Sequence, residues 1–377
     1  MNLPLSGIVV ADFTRVLTGP FCTQTLGDLG AKIIKIEPPD GDDTRAWGAP
    51  WLEHDGNREA TYFLSANRNK QSIALDLKNL SDLELAQQIV DASDVLVENY
   101  RPGTLEKLGI ITTRARLITC SISGFGSSGA LKDWSGYDLI AQGMSGFMSY
   151  TGDKNPTKAG VAIADIFAGS LATQGILAAL FERQSTGLGR HIEVNLLESM
   201  IALGTYQVSR YLNAGEEPER LGNEHRSIVP YGTYKTSDSF VNIAAGNDSL
   251  YQKLCLALNA TDLLEPRFAT NQQRLSHRLE ITQRLEAHLA GFSSDEAILC
   301  LQSAGVPCGA VWSVAQALES DWAKSRGVVQ TVQHPELGEV RLTAPPFEFD
   351  GQALPIRQAP PRLNEHRHEI LEWLDTL

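Results

Sequence analysis

SGIVVADFTRVLTGPFCTQTLGDLGAKIIKIE, residues 6–37, decides the fold. SGIVVADF (6–13) is a short apolar run with the texture of a strand. The segment Phe21–Leu29 has helical spacing and stops at Gly30, and AKIIKIE (31–37) reads as a second strand. The pattern continues outward. SIALDLK (72–78) looks extended, and LSDLELAQQIVDAS (80–93) is an amphipathic helix carrying Leu80, Leu83, Leu85, Ile89 and Val90 on one side. DVLVENY (94–100) and RLITCSISGFG (116–126) follow as strands. Strand, helix, strand at this spacing calls for a parallel sheet with helices on its faces. The expected class is therefore α/β, with a Rossmann-like large domain. No GxGxxG follows the opening strand, where the turn is TRVLTGP (14–20), so a nicotinamide or flavin site loses its main sequence support. Open α/β sheets bind ligands beyond the carboxyl ends of their strands. That directs attention to TRVLTGP, EPPDGDDTR (37–45) and NYRPG (99–103).

AGSLATQGILAALFERQSTGLGR (168–190) reads as a helix closed by Gly187 and Gly189, and HIEVNLLES (191–199) as another strand-to-helix passage. From Gly222 the texture changes. VPYGTYKTSDSFVNIAAGND (229–248) holds two short strands, helices follow over 250–301, and GVPCGAVWSV (305–314) turns into a strand. The expected organisation is a large domain over 1–200, a linker over 201–224 and a small α+β domain over 225–320. Residues 325–377, ending in a helix, rejoin the large domain.

The bulk properties narrow the function. A net charge of -13 and a pI near 5.1 argue against a nucleic-acid surface. Anionic small molecules remain open, because a few clustered cations reverse the field inside a cleft. The five cysteines are scattered without a CxxC pair, which reads as reduced thiols and no metal site. No basic segment precedes an apolar stretch at the N-terminus, and no apolar run approaches the ~18–20 residues a bilayer requires. A cytoplasmic enzyme, with neither nucleic acid nor membrane as partner, is the expectation.

GVAIADIFAG (160–169) sets Asp165 alone in an apolar run bracketed by glycines. An unpaired buried carboxylate costs several kcal/mol or shifts its pKa. With the next helix starting at 168, Asp165 lies just before a helix N-terminus, whose unpaired N–H groups stabilise a carboxylate. One reading is a structural N-cap. The other is a carboxylate nucleophile stripped of bulk water by Val161, Ile163, Ile166 and Phe167.

The chain resembles the family III CoA-transferases, the group of the formyl-CoA and crotonobetainyl-CoA enzymes. The segments that carry the resemblance span nearly the whole chain. They are 12–45, NRNKQSIALDLK (67–78), DVLVENYRPGTLEKLG (94–109), SGFGSSG (123–129), GYDLIAQGMSGFMSYTG (136–152), AIADIFAG (162–169) and TGLGRHIEV (186–194). The resemblance implies that Asp165 is the nucleophile and that no prosthetic group is needed, a CoA thioester being the substrate. It also implies a homodimer of two interlocked rings. By position it puts Arg15, Val16, Leu17 and Thr18 on the first CoA loop and Leu75 and Lys78 at the adenine, with Lys78 towards a phosphate. Asn99, Tyr100, Arg101 and Lys107 come next, and Tyr137 and Asp138 stand near the thioester. Formyl-CoA transferase has a glutamine at Leu17 and an arginine at Pro38, so the polar work there falls to Arg15 or Arg45.

Relatives that racemise α-methylacyl-CoA pair the aspartate with a histidine in a GHD sequence. Here the sequence is Gly136-Tyr137-Asp138, and Tyr, with a pKa of about 10, is a poor proton shuttle. That disfavours α-carbon racemisation or epimerisation, the alternative function. A CoA-binding protein without turnover is a third reading. The loop RLGNEHRSIVPYGTY (220–234) lacks the glycine run of formyl-CoA transferase. Its variant form is similar to the subgroup using small mono- or dicarboxylic acids, with His225 and Arg226 available to a second substrate carboxylate. The expected activity is CoA transfer from a short or dicarboxylic acyl-CoA to a carboxylic acid, through mixed-anhydride and aspartyl-CoA intermediates.

Overall fold

The computed structural model describes residues 3–377. The chain divides into two compact units. The first holds Met1–Met148, Lys158–Pro218 and Asp321–Leu377, the second Ser149–Thr157 and Glu219–Ser320. Residues 149–157, expected in the large domain, thus belong to the second unit. The stretch 201–224, expected as a linker, is helical over Thr205–Ala214.

In the first unit the strands β1 (Val9–Phe13), β2 (Lys32–Glu37), β3 (Lys70–Ala74), β4 (Val95–Glu98), β5 (Ile118–Ser123) and β6 (His191–Asn195) form one sheet. Its order is β3-β2-β1-β4-β5-β6 and every pairing is parallel. The helices that matter to the site are α1 (Thr18–Asp28), α2 (Leu80–Asp91), α3 (Asp138–Met144), α4 (Ile163–Thr186), α5 (Leu196–Leu203) and α6 (Thr205–Ala214).

Alternation along each strand divides the side chains between two cores. Val10, Ile33, Val95, Val97 and Ile118 pack with Leu26 of α1 and Ala172, Ile176 and Ala179 of α4. Ala11, Ile34, Ile36, Ile73 and Leu96 pack with Ala86, Ile89 and Val90 of α2, and with Ile370 of the C-terminal helix Arg367–Asp375. A parallel sheet covered on both faces has few polar positions to spare. Each fully buried Val, Leu or Ile contributes roughly 1.5–3 kcal/mol, so the sheet is a stiff platform.

Helix α4 starts at Ile163, earlier than the sequence indicated, so Asp165 sits inside its first turn. The cause is a cap from elsewhere in the chain. Ala162 offers no side-chain cap, and Oδ1 of Asp138 on α3 accepts the Ala164 N–H at 2.9 Å. The far end closes at Gly187, whose left-handed φ of 71° only glycine adopts readily. With 24 residues and an 18-residue stretch of mean hydropathy 1.5, α4 is long and apolar enough to cross a membrane by length and composition. The sequence reading found no such run. In the fold its Ala172, Ile176 and Ala179 lie in the core beneath the sheet.

The second unit has a three-stranded antiparallel sheet, Cys308–Ala310, Phe240–Ala244 and Tyr231–Lys235 in that order. Val241, Ile243, Leu254, Phe268, Ile281, Leu285 and Leu301 form its core.

Candidate active site

The strand order reverses between β1 and β4, and there the loops leaving the two strands part to leave a crevice. A cavity of about 270 Å³ lies at this point. It is lined by Arg15, Val16 and Thr18 after β1, by Asn99, Tyr100 and Arg101 after β4, by the Gly124–Tyr137 loop after β5, and by Asp165. The two central loops are laced together. Asn99 accepts the Arg15 N–H through Oδ1 at 2.9 Å and donates through Nδ2 to the Arg15 carbonyl at 2.7 Å.

Between them Val16 adopts a φ of 69°, a conformation that β-branched residues avoid at a cost of order 1–3 kcal/mol. It is held there by charge. Its N–H donates to the Asp42 carboxylate at 3.2 Å, and that carboxylate accepts Lys35 Nζ at 2.9 Å and both the N–H and hydroxyl of Thr44. Burial alone would raise the Asp42 pKa, but Lys35 and the Thr44 bonds bring it down to about 2. Beneath the loop lies a second buried pair. Lys70 Nζ donates to Asp12 Oδ2 at 3.2 Å, the Pro20 carbonyl at 3.0 Å and Asn67 Oδ1 at 3.1 Å. Asp12 also accepts the N–H and hydroxyl of Thr14 and the hydroxyl of Thr23.

Asp165 accepts the Thr18 hydroxyl on Oδ1 at 2.5 Å. Burial raises its pKa to about 6; the Thr18 bond opposes this, and the negative charge of Asp138 adds to it. With its pKa near 6 the carboxylate is still mainly ionised at neutral pH, and its sparse solvation and single hydrogen bond leave that charge reactive.

Seven of the residues singled out from sequence line the cavity with Asp165: Arg15, Val16, Thr18, Asn99, Tyr100, Arg101 and Tyr137. Leu75 and the exposed Lys78 border a smaller, mainly apolar cavity of about 160 Å³, which shares Tyr100 with the first. The others lie elsewhere. Leu17 is the N-cap residue of α1, and its carbonyl accepts the Phe21 N–H. Lys107 ends the short helix Thr104–Lys107 and lines neither cavity. Arg45 is not available to a ligand. It donates two bonds to Glu37, one to Glu59 and one to the Pro361 carbonyl, with its guanidinium 3.7 Å from the Phe63 ring centroid. The polar work suggested for Arg15 or Arg45 therefore rests with Arg15. Asp138 faces the α4 backbone and Gln142 instead of the cavity. His225 and Arg226 belong to the second unit, where Arg226 pairs with Glu219 at 3.2 Å and His225 Nδ1 accepts the Ser227 N–H.

The sequence reading missed Lys132 and Trp134 of the cavity wall. Trp134 stands edge-to-face with Phe125, and Arg101 donates to the Ser135 hydroxyl at 2.6 Å. The signal was the segment ALKDWS (130–135) directly after SGFGSSG, where a cation and a large aromatic follow a glycine-rich loop. Such a loop with Tyr100, Arg15, Arg101 and Lys132 offers an anion and a thioester arm what they need, namely cations at the rim and aromatic walls.

Comparison with known proteins supplies the class of reaction. Residues 5–367 match the CoA-transferase family III, and the chain belongs to that family. It is a CoA-transferase, and its relatives are named for particular acids. It is 38% identical to the succinyl-CoA:glutarate CoA-transferase of Mus musculus, over 98% of this chain and 86% of that protein. It is equally identical to the succinate–glutarate CoA-transferase of Agrobacterium fabrum, over 99% and 96%. The acetyl-CoA:oxalate CoA-transferase of Acetobacter aceti is 35% identical, over 96% and 93%. Among solved structures, a CAIB/BAIF family protein from Brucella suis superposes with a TM-score of 0.91 at 38% identity, each chain fully covered.

Proposed function

We propose that this enzyme moves CoA from a short or dicarboxylic acyl-CoA to a dicarboxylic acid, with Asp165 as the covalent centre. The observation that carries the reading is the placement of Asp165, largely buried in the first turn of α4 and open to the cavity at the strand-order reversal. The relatives named for succinyl, glutarate and oxalate support the acid class.

In the first step the Asp165 carboxylate attacks the donor thioester carbonyl and CoA thiolate leaves, giving a mixed anhydride. The thiolate then attacks the Asp165 side-chain carbonyl and expels the donor acid, leaving an aspartyl-CoA thioester. An acceptor carboxylate reverses both steps. Each exchange trades one activated acyl bond for another, so no single barrier is large, provided water is kept out. Arg15, Arg101 and Lys132 would meet the CoA phosphates or a distal substrate carboxylate. The slot between Leu75 and Tyr100, with Lys78 at its edge, would take the adenine. A homodimer fits the exposed apolar groups of the first unit: no residue of α6 is buried, and Phe181, Tyr206 and Leu212 are each more than two-thirds exposed.

The test is exchange across a panel of CoA donors and acid acceptors, followed by hydroxylamine and peptide mass mapping. Transfer among dicarboxylates with hydroxamate at Asp165 is expected. Deuterium wash-in at the α-carbon of a 2-methylacyl-CoA, without exchange, would overturn the reading.

Asp138 gives a second check. Asp138→Asn keeps an oxygen for the Ala164 N–H but removes the charge that raises the Asp165 pKa. The acid limb of kcat/KM is expected to move to lower pH, at a stability cost of about 1 kcal/mol because the new amide no longer accepts from Gln142 Nε2. Asp138→Ala loses the cap as well and should cost about 1 kcal/mol more in denaturant unfolding.

A further inference from the structure

We propose that the Thr18 hydroxyl is the oxyanion donor for the step in which CoA thiolate attacks the Asp165 side-chain carbonyl. The inference rests on Asp165 as nucleophile. It adds which oxygen attacks and which group stabilises the intermediate.

The two oxygens of Asp165 are not equivalent. Oδ1 accepts the Thr18 hydroxyl at 2.5 Å, whereas Oδ2 accepts no hydrogen bond among the described residues. Oδ2 is therefore the oxygen whose lone pairs are free to attack, and it becomes the bridging oxygen of the anhydride. Oδ1 then remains as the aspartyl carbonyl oxygen. When thiolate adds to that carbon, the C–S bond forms and the C=O pair moves onto Oδ1, beside Thr18. As the tetrahedral species collapses, that pair returns and the bond to Oδ2 breaks, releasing the donor carboxylate. No proton is gained or lost. The charge on Oδ1 falls as the anhydride forms and peaks in the second step, so a donor at Oδ1 assists the second step selectively.

Thr18 is held in place before the reaction. It is the first residue of α1 and is 6% exposed. Gly169 lies one helical turn beyond Asp165 on the same face of α4. A Cβ there would stand 2.5 Å from the Thr18 carbonyl oxygen, and a Cβ on Gly19 would stand 2.3 Å from the Thr14 side chain. The first turn of α1 is wedged between these neighbours, and only glycine at 169 lets α4 approach closely enough for the hydroxyl to reach Oδ1. A preorganised donor of this kind needs no reorientation as charge develops.

The experiment is single-turnover mixing with succinyl-CoA, read two ways: free thiol trapped by a chromogenic disulfide, and aspartyl-CoA thioester by intact mass after acid quench. At pH 8.5, where Asp165 stays ionised even without the Thr18 bond that lowers its pKa, thiol release in Thr18→Val is expected near the wild-type rate, and thioester formation about 10²-fold slower. Thr18→Ser keeps the hydroxyl and should form the thioester within about tenfold of wild type. Thr18→Ala is an independent removal should the valine variant fold poorly. Either removal forming the thioester at the wild-type rate, or serine being as slow as valine, overturns the role of Thr18. Asp165→Asn distinguishes the underlying reading. If it forms the adduct, the nucleophile itself is wrong; if it is inert while Thr18→Val is normal, only the oxyanion assignment falls.

Discussion

Asp165→Asn should abolish CoA transfer and, at neutral pH, make the protein more stable. The first effect follows from the proposed mechanism, in which Asp165 forms the covalent bond. Removing a nucleophile of this kind costs roughly 10⁴–10⁶ in kcat. The second follows from linkage. The folded-state pKa of about 6 lies above the ordinary 3.8 because burial disfavours the charge. A carboxyl group raised in this way binds more protons when folded than when unfolded between those two pH values. The penalty for the ionised side chain is thus absent below about pH 4, grows as pH rises, and is complete above about 6. Two pKa units correspond to about 3 kcal/mol, and partial solvent contact reduces this to about 1–2 kcal/mol. Asparagine keeps a carbonyl oxygen for the Thr18 hydroxyl and carries no charge. Its unfolding midpoint should exceed that of wild type at pH 7–8, with the gap closing as pH falls from 6 to 4. The same titration sets the activity of the native enzyme, whose kcat/KM should rise about tenfold per pH unit below 6 and level above it. An asparagine variant that is inactive but less stable at pH 7 would show that Asp165 is a structural cap first. One that exchanges CoA normally would remove Asp165 from the mechanism.

The sheet was legible because hydrophobic periodicity is local. Val10 and Ile33 declare their face by alternation, and α2 shows its stripe over little more than three turns. The loops that build the cavity were legible for a different reason: strand ends are fixed once the strands are, and open α/β sheets bind at those ends. What stayed hidden depends on partners distant in the chain. The start of α4 is set by Asp138, 26 residues earlier, so counting back from the apolar run placed it late. Arg45 looked like a free cation in a polar loop, yet Glu37, Glu59 and Pro361 consume its donors, and no sequence pattern joins position 45 to 361. The strain at Val16 was equally invisible, because it exists only where Asp42 holds the backbone. Asp165 itself could be recognised as unusual from its apolar setting, but the hydroxyl that meets it comes from residue 18, at the far end of the fold's chain order.

Lys70→Met is expected to cost about 3–5 kcal/mol, the largest stability loss of any single change considered. Lys70 and Asp12 are both fully buried, and the ammonium satisfies an acid, a carbonyl and an amide at once. Methionine fills the volume but removes the cation bonded directly to the Asp12 carboxylate and takes one donor each from the Pro20 carbonyl and the Asn67 oxygen. Burial tends to raise the Asp12 pKa, yet Lys70, Lys35 and the two threonine hydroxyls together hold it below the ordinary value. A carboxylate depressed in this way supports the native state above about pH 4, and that support is lost as pH falls through the carboxylate range. In Lys70→Met this acid dependence should flatten. Adding Asp12→Asn removes the stranded charge, so the double variant should recover part of the loss, with a coupling of roughly 0.5–3 kcal/mol in urea unfolding. A loss under 1 kcal/mol for Lys70→Met would mean that water or Lys35 replaces the pair. The consequence reaches the site through Thr14. Its N–H and hydroxyl are fixed by Asp12 and its carbonyl by Lys35, two residues before the left-handed Val16. A conformation that costs energy persists only where its surroundings over-determine it. Loosening Thr14 lets Val16 relax and shifts the start of α1, which carries the Thr18 hydroxyl to Asp165. Transfer should therefore fall even in the folded fraction of Lys70→Met, although Lys70 is fully buried and lines neither cavity.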